Sequence, residues 1–315
     1  MTRSIIIFGS INMDLVARVA QLPKPGETLS GYSFSTVPGG KGANQAVGVA
    51  KLKGASRMIG RVGGDAFGEE LLKSLQEAGV QTDLVRVDRT ISSGVAMIAV
   101  DDQSENHIIV IPGANGNVDE KDLEKLESAL TDSSILLLQL EIPIPIVESA
   151  ARIAKRMGAT VILDPAPAPA NFPEALYSLI DILTPNTTET AQLVGFAIQE
   201  QTDVDACTAL CDRAATILQQ KGANTIVIKL GAQGVFCATE QERFFVPAFS
   251  VNAIDTVAAG DAFNAGLAAA LSEGLPIREA IVWGAAAGAL STTKSGAQPS
   301  LVDRATFDRF LKQKP

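Results

Sequence analysis

The residues best suited to do chemistry lie in the segment Asp255–Gly266, which reads DTVAAGDAFNAG. Ala258, Ala259 and Gly260 are small, so consecutive backbone N–H groups there can face a ligand, and such amides at a helix N-terminus bind anions. A phosphoryl group in transfer is such an anion, and Asp261 is placed to accept a hydroxyl proton. The positive end of the helix should keep this carboxylate ionised. An aspartate that caps a tightly packed helix has the same pattern, and these residues alone leave both interpretations open.

A second set of residues suits a ligand with several hydroxyl groups, such as a sugar. In Pro38–Gln45 (PGGKGANQ), paired glycines allow close approach of the backbone, and Asn44 offers a donor and an acceptor to vicinal hydroxyls. The segment lacks the spacing of a phosphate-binding P-loop. Asn12, Met13 and Asp14 follow the first predicted strand, where a carboxylate can accept two hydroxyl hydrogens. A glycine-rich turn and an Asx turn are the alternative interpretations.

Four further places combine polar residues with predicted strand ends or turns. Asn186–Glu189 (NTTE) pairs an amide with a carboxylate, which can hold water on a hard cation, although the spacing is also typical of a helix cap. Lys229–Gly234 (KLGAQG) is a strand followed by a glycine turn, which taken alone predicts a plain hairpin. Lys294–Ser300 (KSGAQPS) is a loop of small residues that presents backbone carbonyls, and taken alone it is a polar loop. Glu141 follows a predicted strand and taken alone fits a solvated acid.

Short apolar runs that alternate with amphipathic stretches must position these segments. The predicted buried strands are Ser4–Phe8, Ile135–Leu140, Thr160–Leu163, Ile180–Leu183 and Thr225–Lys229. The predicted helices include Glu69–Ala78, Val147–Met157, Ala206–Gln220, Asp261–Leu271 and Arg278–Leu290. This alternation predicts an α/β fold with a mostly parallel sheet covered by helices.

Two segments interrupt the alternation, Leu15–Val37 and Ser93–Ile111. Both are rich in β-branched residues and have no helix between their apolar runs. In the second segment GVAMIAV and HIIVI are separated by the polar DDQSEN, which predicts a hairpin. We therefore expect a small second sheet outside the main one.

Composition and charge exclude several classes of protein. The chain has 315 residues, of which 46% are hydrophobic, enough for a full core in one large domain or in a large domain with a small one attached. A net charge of −9 argues against non-specific binding of nucleic acid. The apolar run near the N-terminus is too short for a signal peptide and no stretch is long enough to span a bilayer, so we predict no membrane association and a cytoplasmic location. Cys207, Cys211 and Cys237 fit small buried apolar residues better than a disulfide framework or a metal site.

Taken together, these motifs resemble the ribokinase-like family of carbohydrate and nucleoside kinases. DTVAAGDAFNAG resembles the second signature of that family, and GGKGAN with Gly60–Gly68 (GRVGGDAFG) resembles the first. Val257 and Ala258 occupy positions that Thr and Gly often fill, and neither change removes a backbone amide. The resemblance runs from Asn12 to Ser300 with the motifs in the family's order.

The resemblance implies roles for particular residues. Asp261 would be the general base, and Ala258, Ala259 and Gly260 would form the anion hole. The substrate contacts would be Asn12, Met13, Asp14, Gly40, Lys41, Gly42, Ala43, Asn44, Glu141 and Asp261. The ATP contacts would be Asn186, Lys229, Leu230, Gly231, Ala232, Gln233, Gly234, Gly260, Asp261 and Ala285. Glu189 would hold Mg²⁺ through water.

The resemblance also implies a monovalent cation, usually potassium in this family, beside the anion hole. Its ligands would be Asp255, Val257, Ser291, Lys294, Gly296 and Ser300, most of them through carbonyl oxygens. Val257 and Lys294 therefore need no special side chain in this role.

The implied fold is a three-layer α/β/α sandwich with a mainly parallel central sheet and a small β-sheet lid. Residues 1–315 would form a single kinase domain, with the lid made by about 11–37 and 93–111, and two lids would pack together in a homodimer. His107 is expected in the lid or an interface rather than in catalysis, and Trp283 in the core.

The implied activity is phosphorylation of D-ribose at its 5-hydroxyl by ATP, with Mg²⁺ and K⁺. The alternatives are a related kinase that acts on fructose, 2-deoxyribose or a nucleoside, and a catalytically silent sugar-binding protein. A nucleoside acceptor would usually require aromatic partners near the lid, and only 5% of the chain is aromatic.

Overall fold

The structure is a computed structural model that describes residues 3–103, 105–198 and 204–312, without the side chains of 204 and 205. This part of the chain contains fourteen strands. They are β1 (Ile5–Phe8), β2 (Asn12–Arg18), β3 (Ser33–Gly39), β4 (Ser56–Ile59), β5 (Arg61–Gly63), β6 (Arg86–Asp88), β7 (Gly94–Val100), β8 (Asn106–Ile111), β9 (Ile135–Leu138), β10 (Thr160–Leu163), β11 (Ile182–Leu183), β12 (Thr225–Lys229), β13 (Gly234–Ala238) and β14 (Arg243–Pro247).

The helices follow the strands in the alternation that the sequence predicts. They are α1 (Lys41–Lys51), α2 (Ala66–Glu77), α3 (Glu120–Ala129), α4 (Ile144–Arg156), α5 (Glu174–Tyr177), α6 (Thr187–Val194), α7 (Val204–Gln220), α8 (Ala259–Ser272), α9 (Ile277–Ser291), α10 (Ala297–Ser300) and α11 (Arg304–Lys312). Short 3₁₀ turns lie at Gly113–Asn117 and Gly231–Gln233.

The central sheet has the strand order β14-β13-β12-β11-β10-β9-β1-β4. Every pair from β12 to β4 is parallel, and only the β12–β13 and β13–β14 pairs at one edge are antiparallel. Parallel strands have their carboxyl ends at one edge of a sheet, which is where ligands of α/β proteins bind. The prediction of a mainly parallel sheet is confirmed.

Helices cover both faces of this sheet because its strands carry apolar residues in both directions. Ile6 and Phe8 of β1 point into a core shared with α3, α4 and α7. Ile5 and Ile7 of the same strand point into a second core shared with α1, α2, α8 and α9. Side chains on a strand alternate between faces, so continuous apolar runs are what a sheet buried on both sides requires.

Some predicted element ends were wrong by a few residues. The strand predicted to end at Leu140 ends at Leu138, because Leu140 N–H instead donates to Ala166 O (3.0 Å) in the loop after β10. The helix predicted to begin at Glu69 begins at Ala66, since the Asp65 side chain caps it by accepting from Gly68 N–H (2.8 Å).

A separate four-stranded sheet, called the small sheet below, has the order β3-β2-β7-β8. It comes from the two segments that interrupt the α/β alternation, and β7 and β8 form the predicted hairpin. Its register places Phe34, Met97 and Ile109 on one face. Asp14 and Ile108 lie on the opposite face, because side chains alternate along each strand.

Two further predictions concern the core and membranes. Cys207, Cys211 and Cys237 are unpaired and buried, as expected. Within the described ranges, the helices are all too short or too polar to cross a membrane.

Candidate active site

Asp261 lies in the first turn of α8 with only 5% of its surface exposed. Each carboxylate oxygen accepts a hydrogen bond from a side-chain amide of α1: Asn44 Nδ2 donates to Oδ2 (3.0 Å) and Gln45 Nε2 donates to Oδ1 (3.1 Å). The start of α1 and the start of α8 therefore meet, although the bonded residues are more than two hundred positions apart in sequence. Two amides fix the orientation of one buried carboxylate.

The sequence predicts that the positive end of α8 keeps Asp261 ionised, and burial of the carboxylate opposes that ionisation. Burial raises the pKa of Asp261 to about 6, and the nearby Asp164 raises it further, while Lys41 and the bonds from Asn44 and Gln45 oppose the rise. A general base works best when its pKa lies near the operating pH. With a pKa of about 6 the carboxylate is still largely ionised at neutral pH, and it is a stronger base than an exposed aspartate.

The small residues before Asp261 form a tight turn into α8. Ala258 adopts a left-handed conformation (φ 60°, ψ 12°), which explains why glycine is also suited to this position. Ala259 N–H donates to Thr256 O (3.2 Å) within the turn. The first-turn amides of Gly260 and Asp261 lie at the positive end of the helix, where an anion is stabilised.

An ion pair lies beside this turn. Lys229 Nζ is 2.9 Å from Asp164 Oδ1, and the side chains of Lys229 and Asp164 are 13% and 3% exposed. A Cβ placed on Gly260 would lie 3.3 Å from Lys229 Nζ, so the ammonium group is next to the start of α8. The site thus carries a fixed positive charge at the position where the sequence predicts an anion hole.

Sequence reasoning missed Asp164 and Gln45. Gln45 Nε2 donates to Asp164 Oδ2 (3.3 Å) as well as to Asp261, and Gln45 Oε1 accepts from Gln139 Nε2 (2.7 Å). Asp164 directly follows β10, so the rule that ligands bind beyond strand ends was the signal that could have found it. Gln45 is the last residue of the PGGKGANQ segment and directly follows Asn44, the residue of that segment that the sequence analysis singles out.

The residues predicted to bind a sugar converge near Asp261. Burial raises the pKa of Asp14 to about 7, helped by the negative charges of Glu141 and Asp261 and opposed by Lys41. Glu141 Oε2 accepts from Ser10 Oγ (2.5 Å) and from Lys41 N–H (3.1 Å) at the start of α1. Burial alone would lower the pKa of Lys41, but the surrounding carboxylates outweigh it and hold that pKa above its usual value.

Asn44 has a buried acceptor left for a ligand. Its Nδ2 is used by Asp261, while its Oδ1 is buried without a partner among the described residues. A buried acceptor without a partner is costly unless something fills it. A sugar hydroxyl that donates to Asn44 Oδ1 would meet this need.

Asn12 and Met13 serve the fold in this structure. Met13 is fully buried, and Asn12 Oδ1 accepts from Asn115 Nδ2 (2.7 Å). Asn115 Oδ1 in turn accepts from Ile11 N–H (2.9 Å). These contacts hold the base of β2, from which Asp14 projects. Gly40, Gly42 and Ala43 line the same start of α1: a Cβ on Gly42 would lie 2.8 Å from the backbone of Ser10.

Asn186 and Glu189 form a reciprocal helix cap. Asn186 N–H donates to Glu189 Oε2, and Glu189 N–H donates to Asn186 Oδ1, both at 2.8 Å. This is the capping alternative that the sequence left open. Glu189 is also nearly buried, and burial raises its pKa, with Lys229 opposing the rise and Asp164 adding to it. Its carboxylate therefore belongs to the electrostatic group around Lys229.

The residues predicted to hold a monovalent cation lie around Asp255. Asp255 Oδ1 accepts from Val257 N–H (3.0 Å) and Oδ2 accepts from Gly296 N–H (2.8 Å). Asp255 N–H donates to Thr292 O (3.1 Å), while Lys294 N–H donates to Ser291 O (3.4 Å). The loop before α8 and the loop after α9 are therefore tied together. Ser300 lies buried at the end of α10, which follows that second loop.

The predicted nucleotide segment follows β12 as a turn. Leu230 is buried in the core, and Gly231–Gln233 form a 3₁₀ turn that leads into β13 at Gly234. Gly231 and Ala232 are exposed, and Ala285 of α9 is half-buried.

The chain's single tryptophan lies in α9 and its single histidine lies in the small sheet. Trp283 packs edge-on against Phe307 with ring centroids 5.0 Å apart, and the Arg304 guanidinium lies 4.6 Å from its ring centre. His107 is exposed on β8 of the small sheet.

Comparison with known proteins agrees with this geometry. Residues 2–304 match the model of the pfkB family of carbohydrate kinases. The chain is 41% identical to a ribokinase of Haemophilus influenzae (99% of both chains) and 34% identical to a deoxyribokinase of Salmonella typhimurium (98% of both). It is 33% identical to an Arabidopsis thaliana ribokinase whose structure was solved with ribose and ATP, which superposes with a TM-score of 0.88 over 99% of both chains. The chain belongs to the pfkB family of carbohydrate kinases.

Proposed function

We propose that this enzyme transfers the γ-phosphoryl group of ATP to the 5-hydroxyl of D-ribose. The observation that carries the proposal is Asp261, a buried carboxylate at the start of α8 with a pKa of about 6. Two side-chain amides of α1 hold it, and Asp14 and Glu141, the acids proposed to bind the sugar, lie near it. The ribokinase relatives, one of them solved with ribose and ATP, support ribose as the acceptor.

The proposed mechanism assigns a task to each group. Asp14, Asn44 and Glu141 orient the sugar so that its 5-hydroxyl meets Asp261. Asp261 accepts the hydroxyl proton as the oxygen attacks the γ-phosphorus of ATP, and ADP leaves. The amides of Gly260 and Asp261 stabilise the charge of the phosphoryl group in transfer. Positioning and electrostatics provide most of the acceleration in reactions of this kind.

A magnesium ion fits the donors beside the nucleotide segment. Glu189 has a nearly buried carboxylate, and the helix cap uses one of its two oxygens. The other oxygen suits a hard cation, because such ions prefer oxygen ligands and often bind them through water. Magnesium would neutralise charge on the ATP phosphates. The residues of the chain that would hold its water shell are Glu189 and Asn186.

A monovalent cation fits the paired loops around Asp255. Both Asp255 oxygens accept backbone amides from the two loops, which ties the loops to each other. We propose potassium at this place, with Asp255, Val257, Ser291, Lys294, Gly296 and Ser300 as its ligands. The ion would stiffen the turn that leads into Ala258 and the anion hole.

We also propose a homodimer in which two small sheets pack together, each sheet acting as a lid within a single kinase domain. Phe34 and Ile109 are 65% and 63% exposed, and Met97 between them is 51% exposed. Together they make one face of the small sheet apolar, and exposed patches of this kind mark protein contacts. The face that carries Asp14 is left to the sugar. A cytoplasmic location fits both the use of ATP and the three unpaired cysteines.

An acceptor panel tests the proposed activity. ADP release should be measured with D-ribose, 2-deoxyribose, fructose and a nucleoside, each with ATP and Mg²⁺. We expect the highest kcat/KM with ribose, and loss of about 10²–10⁴-fold in kcat for Asp261→Asn, which keeps the shape but removes the base. A preference for another acceptor would replace ribose. Ribose binding by calorimetry without any ADP release would identify a silent sugar-binding protein instead.

A further inference from the structure

We infer that Asp164 is a positioning residue that holds the Lys229 ammonium group at the start of α8, where Lys229 meets the phosphoryl group in transfer. The inference rests on the proposed phosphoryl transfer and adds a charge pair to it. This pair belongs neither to the residues proposed to bind the sugar nor to the anion hole. Asp164 itself makes no contact with substrate in this proposal and acts through Lys229.

The geometry of the pair restricts the ammonium group. Lys229 ends β12 and Asp164 directly follows β10, so two strand ends of the central sheet supply the pair. Lys229 Nζ is 2.9 Å from Asp164 Oδ1 and lies beside Gly260, where an added Cβ would come within 3.3 Å of it. A lysine has a long flexible side chain, and a buried carboxylate removes most of that freedom.

The electrostatics of the site explain why a fixed positive charge is needed there. Asp14, Glu141 and Asp261 surround the sugar side, and ATP brings several more negative charges to a chain whose net charge is −9. Lys41 is close to Glu141 and Asp261 and also to Asp164 and Glu189, and these carboxylates together hold its pKa above the usual value. Lys229 ends β12, just before the Gly231–Gln233 turn. It is therefore placed to balance charge on the phosphates.

Gln45 connects the pair to the base. Its Nε2 donates to both Asp164 Oδ2 (3.3 Å) and Asp261 Oδ1 (3.1 Å), so one amide bridges the two carboxylates. The position of Lys229 is thereby linked to the orientation of Asp261.

The alternative is that the pair only stabilises the fold. Removing one partner of a buried ion pair leaves an uncompensated charge and destabilises a protein. Thermal stability alone therefore cannot separate the two roles. To distinguish the two roles, catalysis must be measured, and a double variant is needed in which both charges of the pair are removed together.

The test compares Asp164→Asn, Lys229→Met and the double variant by steady-state kinetics with ribose and ATP. Losing one group that stabilises the transition state costs about 10²–10³-fold in kcat, and we expect this for Lys229→Met. Asp164→Asn should lose about tenfold or more in kcat with an unchanged KM for ribose. The double variant should be no slower than Lys229→Met, because groups that act as a unit are not additive. Lys229→Met should also weaken binding of ATP more than binding of ADP.

A pH profile gives a readout that a structural role would not move. Asp164 raises the pKa of Asp261 through its charge, so Asp164→Asn should shift the acidic limb of kcat to lower pH. The matched control is Asp181→Asn, which breaks the Lys155–Asp181 pair (2.6 Å) at the start of β11, the opposite edge of the sheet. That variant should keep the kcat and pH profile of the original enzyme.

The outcomes separate this inference from the proposed function. If the unaltered enzyme phosphorylates ribose while Asp164→Asn keeps its kcat and its pH profile, the inference is wrong and the proposed function stands. A double variant whose loss equals the product of the two single losses also contradicts it. If the unaltered enzyme releases no ADP with any sugar, the proposed function itself fails.

Discussion

The site places several carboxylates close together and out of water, which is unfavourable for the folded chain before a ligand binds. Burial and mutual repulsion raise the pKa of Asp14 to about 7 and that of Asp261 to about 6. Two lysines, Lys41 and Lys229, offset part of this charge. Raised pKa values in a cleft are typical of functional sites, because the same burial that costs stability provides reactivity.

These two ionisations predict the pH dependence of the reaction. Asp261 must be ionised to accept a proton, and Asp14 must be ionised to accept two sugar hydrogens. Because both pKa values are raised, kcat/KM for ribose should fall as pH drops through about 7 and about 6, more steeply than one proton allows. The measurement needs excess Mg²⁺, so that ATP stays ionised. A profile that stays flat down to pH 5 would contradict both assignments.

The buried base also predicts a gain in stability when it is removed. Asp261 has a pKa of about 6 in the folded chain against an ordinary value of 3.8, so the folded state binds the proton more tightly. Its contribution to stability is therefore lost as pH rises from about 4 through about 6, by up to about 3 kcal/mol. Asp261→Asn should have a higher free energy of unfolding than the original at pH 8 and no advantage at pH 4.

Urea unfolding at the two pH values measures this difference. Asp303→Asn is a control of opposite sign, because hydrogen bonds from Thr306 lower the pKa of Asp303. That variant should lose stability at pH 8. Equal stability of Asp261→Asn and the original enzyme at pH 8 would show that the carboxylate carries no burial cost.

The site residues that lie in one local motif were predictable from the sequence, and those brought in by long-range contacts were not. Asp261 lies within one short segment whose spacing indicates an anion site. Asp164 is 65 residues from Lys229 and 119 from Gln45, so only the folded sheet brings these three together. The rise in the pKa of Asp261 was also beyond the sequence, because the carboxylate is buried only once α1 has packed against α8.

At the scale of elements, the paired loops around Asp255 decide how the turn before α8 is held. The Asp255 side chain accepts backbone amides of Val257 and Gly296, one from each loop. Sequence reasoning predicted that both segments serve one cation, through resemblance to the family. It could not predict that a single carboxylate ties them, since 41 residues and two helices separate Asp255 from Gly296.

This arrangement predicts a potassium effect that depends on Asp255. Potassium should raise kcat of the original enzyme by ordering the turn that leads to Gly260. Asp255→Asn keeps the size of the side chain but weakens its hold on the two amides and on a cation, so its activity should stay near the potassium-free level of the original. Titration with KCl against a choline chloride background measures this.

The exposed Glu279→Gln on α9 serves as the matched control, and it should respond to potassium like the original enzyme. Equal stimulation of Asp255→Asn by potassium would remove these loops as the cation site. Stimulation by sodium and potassium alike would leave the site in place and change only its selectivity.

At the scale of the whole molecule, the alternation of apolar runs predicted the central sheet and its order of elements well. The strand ends were less predictable, since Leu138 ends β9 only because the following residues bond to the loop after β10. The small sheet was predicted from the two segments that break the alternation. The sequence does not predict which face of the small sheet lies toward Asp261, because the relative position of two sheets is set by packing and not by local sequence.

That division of faces leads to a prediction about assembly. Phe34, Met97 and Ile109 share the face away from Asp14 and expose apolar surface from one edge strand, β3, to the other, β8. Burying such surface between two copies stabilises their association by about 25 cal/mol per Å². Charges on this face oppose it, since each charge would have to lose its water. Phe34→Glu combined with Ile109→Lys should therefore shift the protein from dimer to monomer, as measured by sedimentation velocity over a range of concentrations.

The control for this prediction is Val87→Glu, since Val87 is also exposed (48%) but lies on β6, outside the small sheet. It should leave the dimer intact. The monomeric variant should also bind ribose more weakly, because β2 carries Asp14 on the other face of the same sheet and a partner would hold that sheet in place. A variant that remains dimeric, or an original enzyme that is monomeric at every concentration, would show that two small sheets do not pair.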